Sequence, residues 1–234
     1  MDKVINEPIK HFLEKYGIDI LNIKEIICGR KYSAVLLTDG NIGVCANLLN
    51  KVEVKIEDLR IPQVNNIEHR IILNAYFNGM LNYLNCYGKM IDIFDSIDFQ
   101  SYKNLVMVGL FKPLLKKFRY YNIKVQVFDK IKESSNLISE EKKNEYVRKA
   151  DAIILSATSI VNNTFLEVVN HTGDNCDIFV LGPSSIMHKD IFEYKNIKRI
   201  FGSIFKSNDE KVLNIIKSGY GTKKFLPFGK KVYL

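Results

Sequence analysis

Four short segments in the second half of the chain combine glycine with polar side chains, directly after apolar, strand-like runs. They are residues 109–113 (GLFKP), 129–130 (DK), 156–164 (SATSIVNNT) and 182–185 (GPSS). In an open parallel sheet, ligands bind outside the carboxyl ends of the strands, where such segments lie. Gly109 and Gly182 would let the backbone approach a ligand closely. Hydrogen-bonding side chains are supplied by Asn162, Thr164, Ser184 and Ser185. These segments predict a ligand-binding site at one edge of a sheet.

The first two segments also fit part of a nucleotide-binding pattern. Asp129 lies 20 positions after Gly109, where an acid at the end of the second strand can hydrogen-bond a ribose hydroxyl. The glycine fingerprint is incomplete, because VGLFKP has one glycine where G-x-G-x-x-G has three. A tight strand-to-helix turn at Gly109 and a surface carboxylate at Asp129 are the structural alternatives. For the other two segments, the alternatives are a helix cap at Asn163 or Thr164 and a simple turn at 182–184.

The side chains that usually bind metals are scattered along the sequence. Of the four histidines, His188 alone lies near the expected site, and it is the candidate metal ligand or acid–base group. The cysteines show neither a C-x-x-C pair nor zinc-finger spacing with histidine: they are Cys28, Cys45, Cys86 and Cys176. No Ser-His-Asp or paired-carboxylate spacing is visible, so the sequence assigns no catalytic residue and leaves enzymatic activity open.

The N-terminal third predicts a small α+β unit. Residues 4–16 have the apolar spacing of a helix, and three strand-like runs follow at 22–29, 32–38 and 42–49. Asp39-Gly40 predicts a hairpin between the last two runs. Residues 67–88 then predict a long helix that is apolar on most faces and therefore buried.

From residue 104 onward, strands and helices alternate strictly. Strands are expected at 104–109, 123–129, 151–157, 177–182 and 198–205, with helices at 112–121, 139–149, 162–171, 187–194 and 208–218. This alternation predicts a five-stranded, mainly parallel sheet with helices on both faces. Residues 89–103 are the expected linker between the two units.

Three segments resemble the C-terminal domain of a prokaryotic family named for heavy-metal chelation: ADAIILSATSIVNNTFLEVVN, VLGPSSIMHKDIF and IKRIFGSIFKSNDEKVLNIIKSG. The positions that match the family pattern are Asp151, Asn162, Thr164, Glu167, Gly182, Pro183, Ser184, Gly202 and Asp209. Upstream, VGLFKPLLKKF is similar to the family's V-G-x-F segment, and ICGRKYSAVLLTDGNIGVC is similar to its N-terminal module. Two positions differ, since Asp129-Lys130 stands where the family tends to have Glu-Arg and SATSI replaces Thr-Gly-Ser-Ala.

The resemblance implies an α/β protein made of two units. An enolase-N-terminal-like α+β module would occupy residues 1–95, and a Rossmann-like domain residues 96–234, with a pocket where they meet. The ligand-binding residues expected from the segments and the resemblance together are Gly109, Phe111, Asp129, Asn162, Thr164, Glu167, Gly182, Pro183 and Ser184. The cofactor is not identified, and a metal ion or metal complex is the class that the resemblance suggests.

Composition excludes several functional classes. The 234 residues are 47% hydrophobic and 26% charged, which is typical of a folded chain and excludes disordered and fibrous proteins. No apolar stretch would span a bilayer and no signal peptide is recognisable, so a soluble cytoplasmic protein without a membrane partner is expected. Residues 103–149 carry 12 basic and 5 acidic side chains, but only 6 of the 34 cations are arginine. A nucleic-acid partner is therefore not favoured over a solvated basic surface.

Three functions are compatible with these features. The leading hypothesis is binding of a small ligand or metal complex in an interdomain cleft, through Asn162, Thr164, Gly182 and Ser184. The alternative is an enzyme that uses Gly109 and Asp129 to bind a nucleotide-like cofactor. A nucleic-acid-binding protein that uses the basic block ranks third, and a homodimer is left open.

Overall fold

The computed structural model describes residues 5–88, 92–129 and 139–234. The N-terminal module contains helices α1 (Pro8–Tyr16) and α2 (Ile67–Leu81) and the strands β1 (Ile23–Cys28), β2 (Tyr32–Leu37) and β3 (Ile42–Ala46). The strands form an antiparallel sheet in the order β1-β2-β3. Asp39 and Gly40 form the tip between β2 and β3, where Gly40 has a φ of 89° and the Asp39 carboxylate accepts from the Asn41 N–H. The predicted hairpin is confirmed.

Helix α2 packs directly onto the small sheet. It lies on β2 and β3, and Gly43 faces the α2 backbone so closely that a Cβ there would collide with the Ala75 carbonyl and the Gly79 N–H. The two glycines thus permit a backbone-to-backbone approach that any larger residue would prevent. Twelve of the fifteen α2 residues are buried, as its continuous apolar pattern predicts.

The second unit is a six-stranded sheet flanked by helices. Its strands are β4 (Leu105–Val108), β5 (Gln126–Phe128), β6 (Ala152–Ser156), β7 (Asp177–Leu181), β8 (Ile197–Ile204) and β9 (Lys230–Tyr233). Its helices are α3 (Ile93–Ser96), α4 (Lys112–Tyr120), α5 (Lys143–Lys149), α6 (Thr158–Val161), α7 (Phe165–His171), α8 (Glu210–Lys217) and α9 (Thr222–Phe225). The strand order is β5-β4-β6-β7-β8-β9, parallel except for β9. The α/β class and the mainly parallel sheet are confirmed.

The strand order fixes where the topology reverses. From β4 the chain moves outward to β5, then returns to place β6 on the other side of β4. The topological switch point therefore lies between the carboxyl ends of β4 and β6, which is where open α/β sheets bind ligands.

Several predicted boundaries were wrong. The predicted five strands are six, because β9 is a short segment with two lysines and gives little apolar signal. The helix predicted for 67–88 stops at Leu81 and continues as a 3-10 turn to Leu84. The helix predicted for 162–171 begins at Phe165 as α7, and the short helix α6, which was not predicted, precedes it at Thr158–Val161.

Other differences are local. The segment 187–194 is a 3-10 turn at Lys189–Glu193, and a 3-10 turn at Glu140–Lys142 precedes α5. Residue 4 of the first predicted helix, residues 89–91 of the expected linker, and Lys130 lie outside the described residues. The remainder of that linker contains α3, whose Ile93 packs into the core beneath the second sheet. The expected module boundary at residue 95 falls within this helix.

One hydrophobic core runs through both units. The same cluster of buried side chains includes Val35 and Ile71 of the N-terminal module together with Ile153 and Ile178 of the parallel sheet. In the described part of the chain, no helix has the length and apolar character needed to cross a membrane.

Candidate functional site

The loops after β4, β6 and β7 meet at the carboxyl edge of the sheet. Gly109 has a φ of 98°, and a Cβ built there would lie 2.5 Å from the Cβ of Ser156. Gly182 has a φ of 143°, and a Cβ there would lie 3.6 Å from the Cβ of Ala157. Both glycines thus adopt backbone conformations that suit glycine. Gly109 lies against the β6 loop on the β4 side, at the topological switch point, and Gly182 lies against it on the β7 side.

The turn after β4 is held by the carboxylate of Asp129. Its Oδ2 accepts from the Leu110 N–H at 2.6 Å, which joins the end of β5 to the start of the loop that carries Phe111. The spacing from Gly109 predicts either a contact to a ribose hydroxyl or a surface carboxylate at Asp129. In the structure this carboxylate oxygen stabilises the β4 turn, at the place where the backbone N–H groups of a nucleotide fingerprint meet a phosphate.

Asn162, Thr164 and Glu167 lie on the loop and helix that follow β6. The Oδ1 atom of Asn162 accepts from the Thr164 hydroxyl at 2.6 Å and from the Thr164 N–H at 3.3 Å. Asn162 is exposed, so its amide NH2 group lies at the surface of this loop. Neither Asn163 nor Thr164 caps α7 through its side chain, since Thr164 occupies the cap position without a side-chain bond. Glu167 forms an ion pair with the buried Lys143 at 2.8 Å.

The Gly-Pro-Ser segment, residues 182–185, is hydrogen-bonded to the N-terminal module. Ser184 is 1% exposed, and its Oγ accepts from the N–H of Ala46 at the end of β3 at 3.1 Å. Ser185 is also buried and donates its hydroxyl proton to the Phe201 carbonyl at 2.8 Å. These serine side chains therefore fix the loop between the two sheets, whereas Gly182 and Pro183 remain partly exposed at the edge.

Three asparagines, two on α2 and one in the 3-10 turn that continues it, also bind this segment, and no sequence motif singled them out. The Nδ2 groups of Asn74, Asn78 and Asn82 donate to carbonyl oxygens of the Gly-Pro-Ser segment at 2.8–3.0 Å. Asn82 also accepts from the Met187 N–H at 2.7 Å. All three are fully buried. The available signal was their spacing, because polar residues four apart on an otherwise apolar helix form one stripe. We call them the asparagine ladder.

Arg70 of α2 holds the other side of the loop after β6. Its guanidinium forms a bidentate ion pair with Glu7, with both bonds at 2.9 Å. The remaining N–H groups donate to the carbonyls of Val64, Ile160 and Val161 at 2.6–2.9 Å. All five donors of this buried side chain are used. Arg70 thus ties the N-terminal module to the end of α6, immediately before Asn162.

His188 belongs to a separate cluster between α1 and the segment after β7. Its Nε2 lies 3.1 Å from the Tyr16 hydroxyl and its Nδ1 lies 3.3 Å from Oδ1 of Asp190. Burial lowers the pKa of His188 below the ordinary value for histidine. Oδ2 of Asp190 is bonded to Lys15 at 2.6 Å and to His11 at 2.9 Å. The ammonium group of Lys15 thus supplies the positive charge beside this carboxylate.

The described residues do not fit a bare metal ion. Within residues 5–88, 92–129 and 139–234, no three His, Cys, Asp or Glu side chains are arranged to hold one. All four cysteines are free, with Cys45 and Cys176 buried and Cys28 and Cys86 exposed. Heavy-metal ions prefer thiolate and imidazole ligands, whereas the carboxyl edge offers amide, hydroxyl and backbone groups.

Two shallow depressions lie at the opposite, amino edge of the sheet. The larger has a volume of about 470 Å³ and lies between the starts of β7 and β8, beside Cys176 and Asp177. The smaller, about 320 Å³, shares Asp177 and Lys198 with it. Asp177 accepts from the Tyr102 hydroxyl at 2.8 Å, so part of this edge is already engaged in structural bonds.

Solved structures confirm the architecture. A protein of unknown function from Pyrococcus horikoshii superposes with a TM-score of 0.78 at 21% identity, over 91% of this chain and 92% of that chain. A second protein of unknown function, from Desulfitobacterium hafniense, superposes with a TM-score of 0.73 at 16% identity, over 96% and 98% of the two chains. At these identities the likeness establishes the fold alone. Both structures are described as members of the DUF364 family.

A search of curated proteins gives no significant match. The sequence model of the DUF364 family, described as "Putative heavy-metal chelation", matches residues 92–234. The match covers well over half of the chain and includes every strand of the parallel sheet and the loops at its carboxyl edge. Together with the two similar folds, it establishes that the chain belongs to the DUF364 family.

Proposed function

We propose that this protein binds a small ligand in the cleft at the carboxyl edge of the parallel sheet, where that edge meets the N-terminal module. The supporting observation is the run of contacts at the switch point, from Gly109 to Ser156 and from Ala157 to Gly182. The Ser184–Ala46 hydrogen bond extends this run to the end of β3. Glycines with positive φ at the carboxyl edge of a parallel sheet, one of them at the topological switch point, are a typical setting for a ligand that approaches the backbone.

The proposed binding residues divide into two groups. Residues of the first group would contact the ligand, and they are Gly109, Phe111, Asn162, Thr164 and Gly182. The glycines would use backbone groups, and the other three would use their aromatic, amide and hydroxyl side chains. The remaining four would hold the walls in place, and they are Asp129, Glu167, Pro183 and Ser184. The hydrogen bonds of Asp129 and Ser184 to backbone N–H groups support that second role.

The family description points to metal handling, and the donor set narrows what form the metal would take. Amide, hydroxyl and backbone groups are poor ligands for a bare heavy-metal ion but good hydrogen-bonding partners for an oxygen-rich organic molecule. We therefore propose an organic ligand, or a metal already held by an organic chelator, as the bound species. The nucleotide alternative draws less support, because the Leu110 N–H in the β4 turn donates to Asp129.

Thermal-shift measurements with four classes of probe test this proposal. The probes are Ni²⁺ and Zn²⁺ alone, citrate with and without Ni²⁺, ATP and NAD, and a short oligonucleotide. A ligand that binds the native state alone raises the melting temperature, by an amount that grows with the logarithm of its concentration over Kd. The proposal expects stabilisation by citrate or its metal complex, and little effect of the bare ions.

The variant Asn162→Ala should lose the ligand-dependent stabilisation while the ligand-free protein loses about 1 kcal/mol of stability. Asn170→Ala is the matched control, since Asn170 is an exposed asparagine near the other end of α7. The control should respond to the probe as the wild type does. A wild type that responds to none of the organic probes, or an Asn162→Ala variant that responds fully, would contradict the proposal.

A further inference from the structure

The loop after β3 has an unusual backbone. Leu48 and Leu49 both have positive φ, 53° and 68°. The other positive-φ positions among the described residues are all asparagine or glycine: Asn122, Asn163, Asn196, Asn208, Gly17, Gly40, Gly109, Gly182 and Gly219. Leucine is disfavoured in this left-handed region because its Cβ approaches the following carbonyl oxygen. The chain therefore uses favourable residues at nine such positions and two consecutive unfavourable ones here.

The surrounding structure holds the loop in this conformation. Asn47 is fully buried and its side chain bonds to the Ser33 hydroxyl at 2.9 Å and to the Gly29 carbonyl at 2.6 Å. Asn50 closes the turn by donating from its backbone to the Asn47 carbonyl and from its side chain to the Leu48 carbonyl. Strained conformations persist where the surroundings determine them in this way, and they concentrate at functional sites.

Packing explains one leucine and not the other. Leu48 packs against the main hydrophobic core, so burial offsets its unfavourable conformation. Leu49 is 84% exposed, so neither packing nor backbone preference favours leucine over asparagine or glycine at this position. An apolar side chain that costs stability and gains little burial within the chain is consistent with a contact to a molecule outside it.

The position of Leu49 indicates what that contact is. Ala46, three residues earlier, donates to Ser184 in the Gly-Pro-Ser segment at 3.1 Å. Consecutive Cα atoms are 3.8 Å apart, so the Cα of Leu49 lies within about 11 Å of the Cα of Ala46. The loop thus begins at a residue that is hydrogen-bonded to the Gly-Pro-Ser segment, which forms one wall of the proposed cleft.

We propose that Leu49 is an apolar specificity residue of the cleft, and that the ligand carries an apolar group attached to an oxygen-rich polar group such as a carboxylate. This inference rests on the proposed function. The polar group would face the amides and hydroxyls at the carboxyl edge, and the apolar group would lie against Leu49. The leucine side chain at this strained position would bury that apolar group away from water and so strengthen binding.

A homologous series of alkyl carboxylates tests the inference. Binding of acetate, butyrate, hexanoate and octanoate is measured by NMR titration against wild type and the Leu49→Asn variant. In the wild type, each methylene that contacts Leu49 should tighten binding by up to about fourfold. In Leu49→Asn the gain per methylene should fall to less than about twofold, while its melting temperature without ligand equals or exceeds that of wild type because asparagine tolerates this backbone.

The matched control is Leu21→Asn, because Leu21 is also 84% exposed but does not have a positive φ. It should bind the series as the wild type does. Equal chain-length dependence in wild type and Leu49→Asn overturns the inference, and so does a wild type whose affinity does not depend on chain length. If citrate or its metal complex still stabilises the wild type in either case, the proposed function stands and the role of Leu49 alone fails.

Discussion

The carboxylate of Asp190 gathers polar side chains from two distant parts of the chain. Lys15 and His11 bond to it from α1, and His188 contacts it from the segment after β7. Burial would by itself raise the pKa of Asp190, but the bonds from Lys15 and His11 outweigh burial and lower the pKa below its usual value. A buried carboxylate that stays ionised in this way stabilises the folded state at neutral pH.

The pH dependence of stability follows from that direction. Because the pKa of Asp190 is lower in the folded protein than in the unfolded one, its stabilisation is complete above the unfolded value of about 3.9 and is lost as pH falls further. Asp190→Asn should therefore cost about 2 kcal/mol of unfolding free energy at pH 7. The difference from wild type should narrow below about pH 4.

Urea unfolding at pH 7 and at pH 3 measures this. Asp174→Asn is the control, since Asp174 pairs with Lys195 but is 93% exposed, and it should leave the unfolding free energy nearly unchanged. A destabilisation by Asp190→Asn that is the same at both pH values would show that the carboxylate charge is not responsible.

At the scale of elements, α2 joins the two sheets. One face packs on β2 and β3 through Gly43 and Gly79, and the asparagine ladder binds the Gly-Pro-Ser segment. Asn78 serves both neighbours, because its Nδ2 donates to Pro183 and Ser185 and its Oδ1 accepts from the Val44 N–H. Buried backbone groups that lose such partners cannot regain water, so each carries a large desolvation cost.

Asn78→Ala should accordingly destabilise the protein by about 2 kcal/mol. It removes the side-chain partner of the Val44 N–H and of the Pro183 carbonyl, whereas the Ser185 carbonyl keeps its bond from Asn82. Asn214→Ala is the control, because Asn214 is exposed on α8, and it should change stability by less than about 0.5 kcal/mol. Equilibrium unfolding in urea gives both values. A small effect of Asn78→Ala would mean that water replaces the ladder bonds.

At the scale of the whole molecule, the two units share one core. The main cluster combines apolar side chains of both sheets, and Arg70 and Ser184 add hydrogen bonds across the same boundary. The family match begins at residue 92, yet the carbonyls of the Gly-Pro-Ser segment are bound by residues that precede it. The loop after β7 of the parallel sheet thus takes hydrogen-bond partners from the N-terminal module.

A fragment of residues 92–234 is therefore expected not to fold cooperatively on its own. It would expose the apolar face normally covered by the N-terminal module and leave the ladder carbonyls without partners. Circular dichroism during thermal unfolding, with the full chain as the control, tests this. A sharp transition in the fragment near the melting temperature of the full chain would show that the two units fold independently.

Local patterns in the sequence were enough to predict most of the helices and strands. Apolar runs ending in Gly109 and Gly182, in alternation with amphipathic helices, predicted the parallel sheet and the edge where these glycines lie, and Asp39-Gly40 predicted the hairpin. Strand β9 was not predicted because its two lysines reduce its apolar signal. It forms by pairing with β8, and its own sequence does not reveal that partner. Local periodicity fixes an element's type but carries no information on such partners.

Only the packing of the two units shows which polar groups form structural hydrogen bonds and which remain exposed to a ligand. Ser184 had the same apparent potential as Asn162 in the sequence, but it is buried against Ala46 whereas Asn162 is exposed. The positive φ of Leu49 could not be predicted either, because leucine is not a residue that indicates a left-handed backbone. Hydrogen-bond partners more than 100 residues apart are set by how the units pack, and the amino-acid type at one position does not specify them.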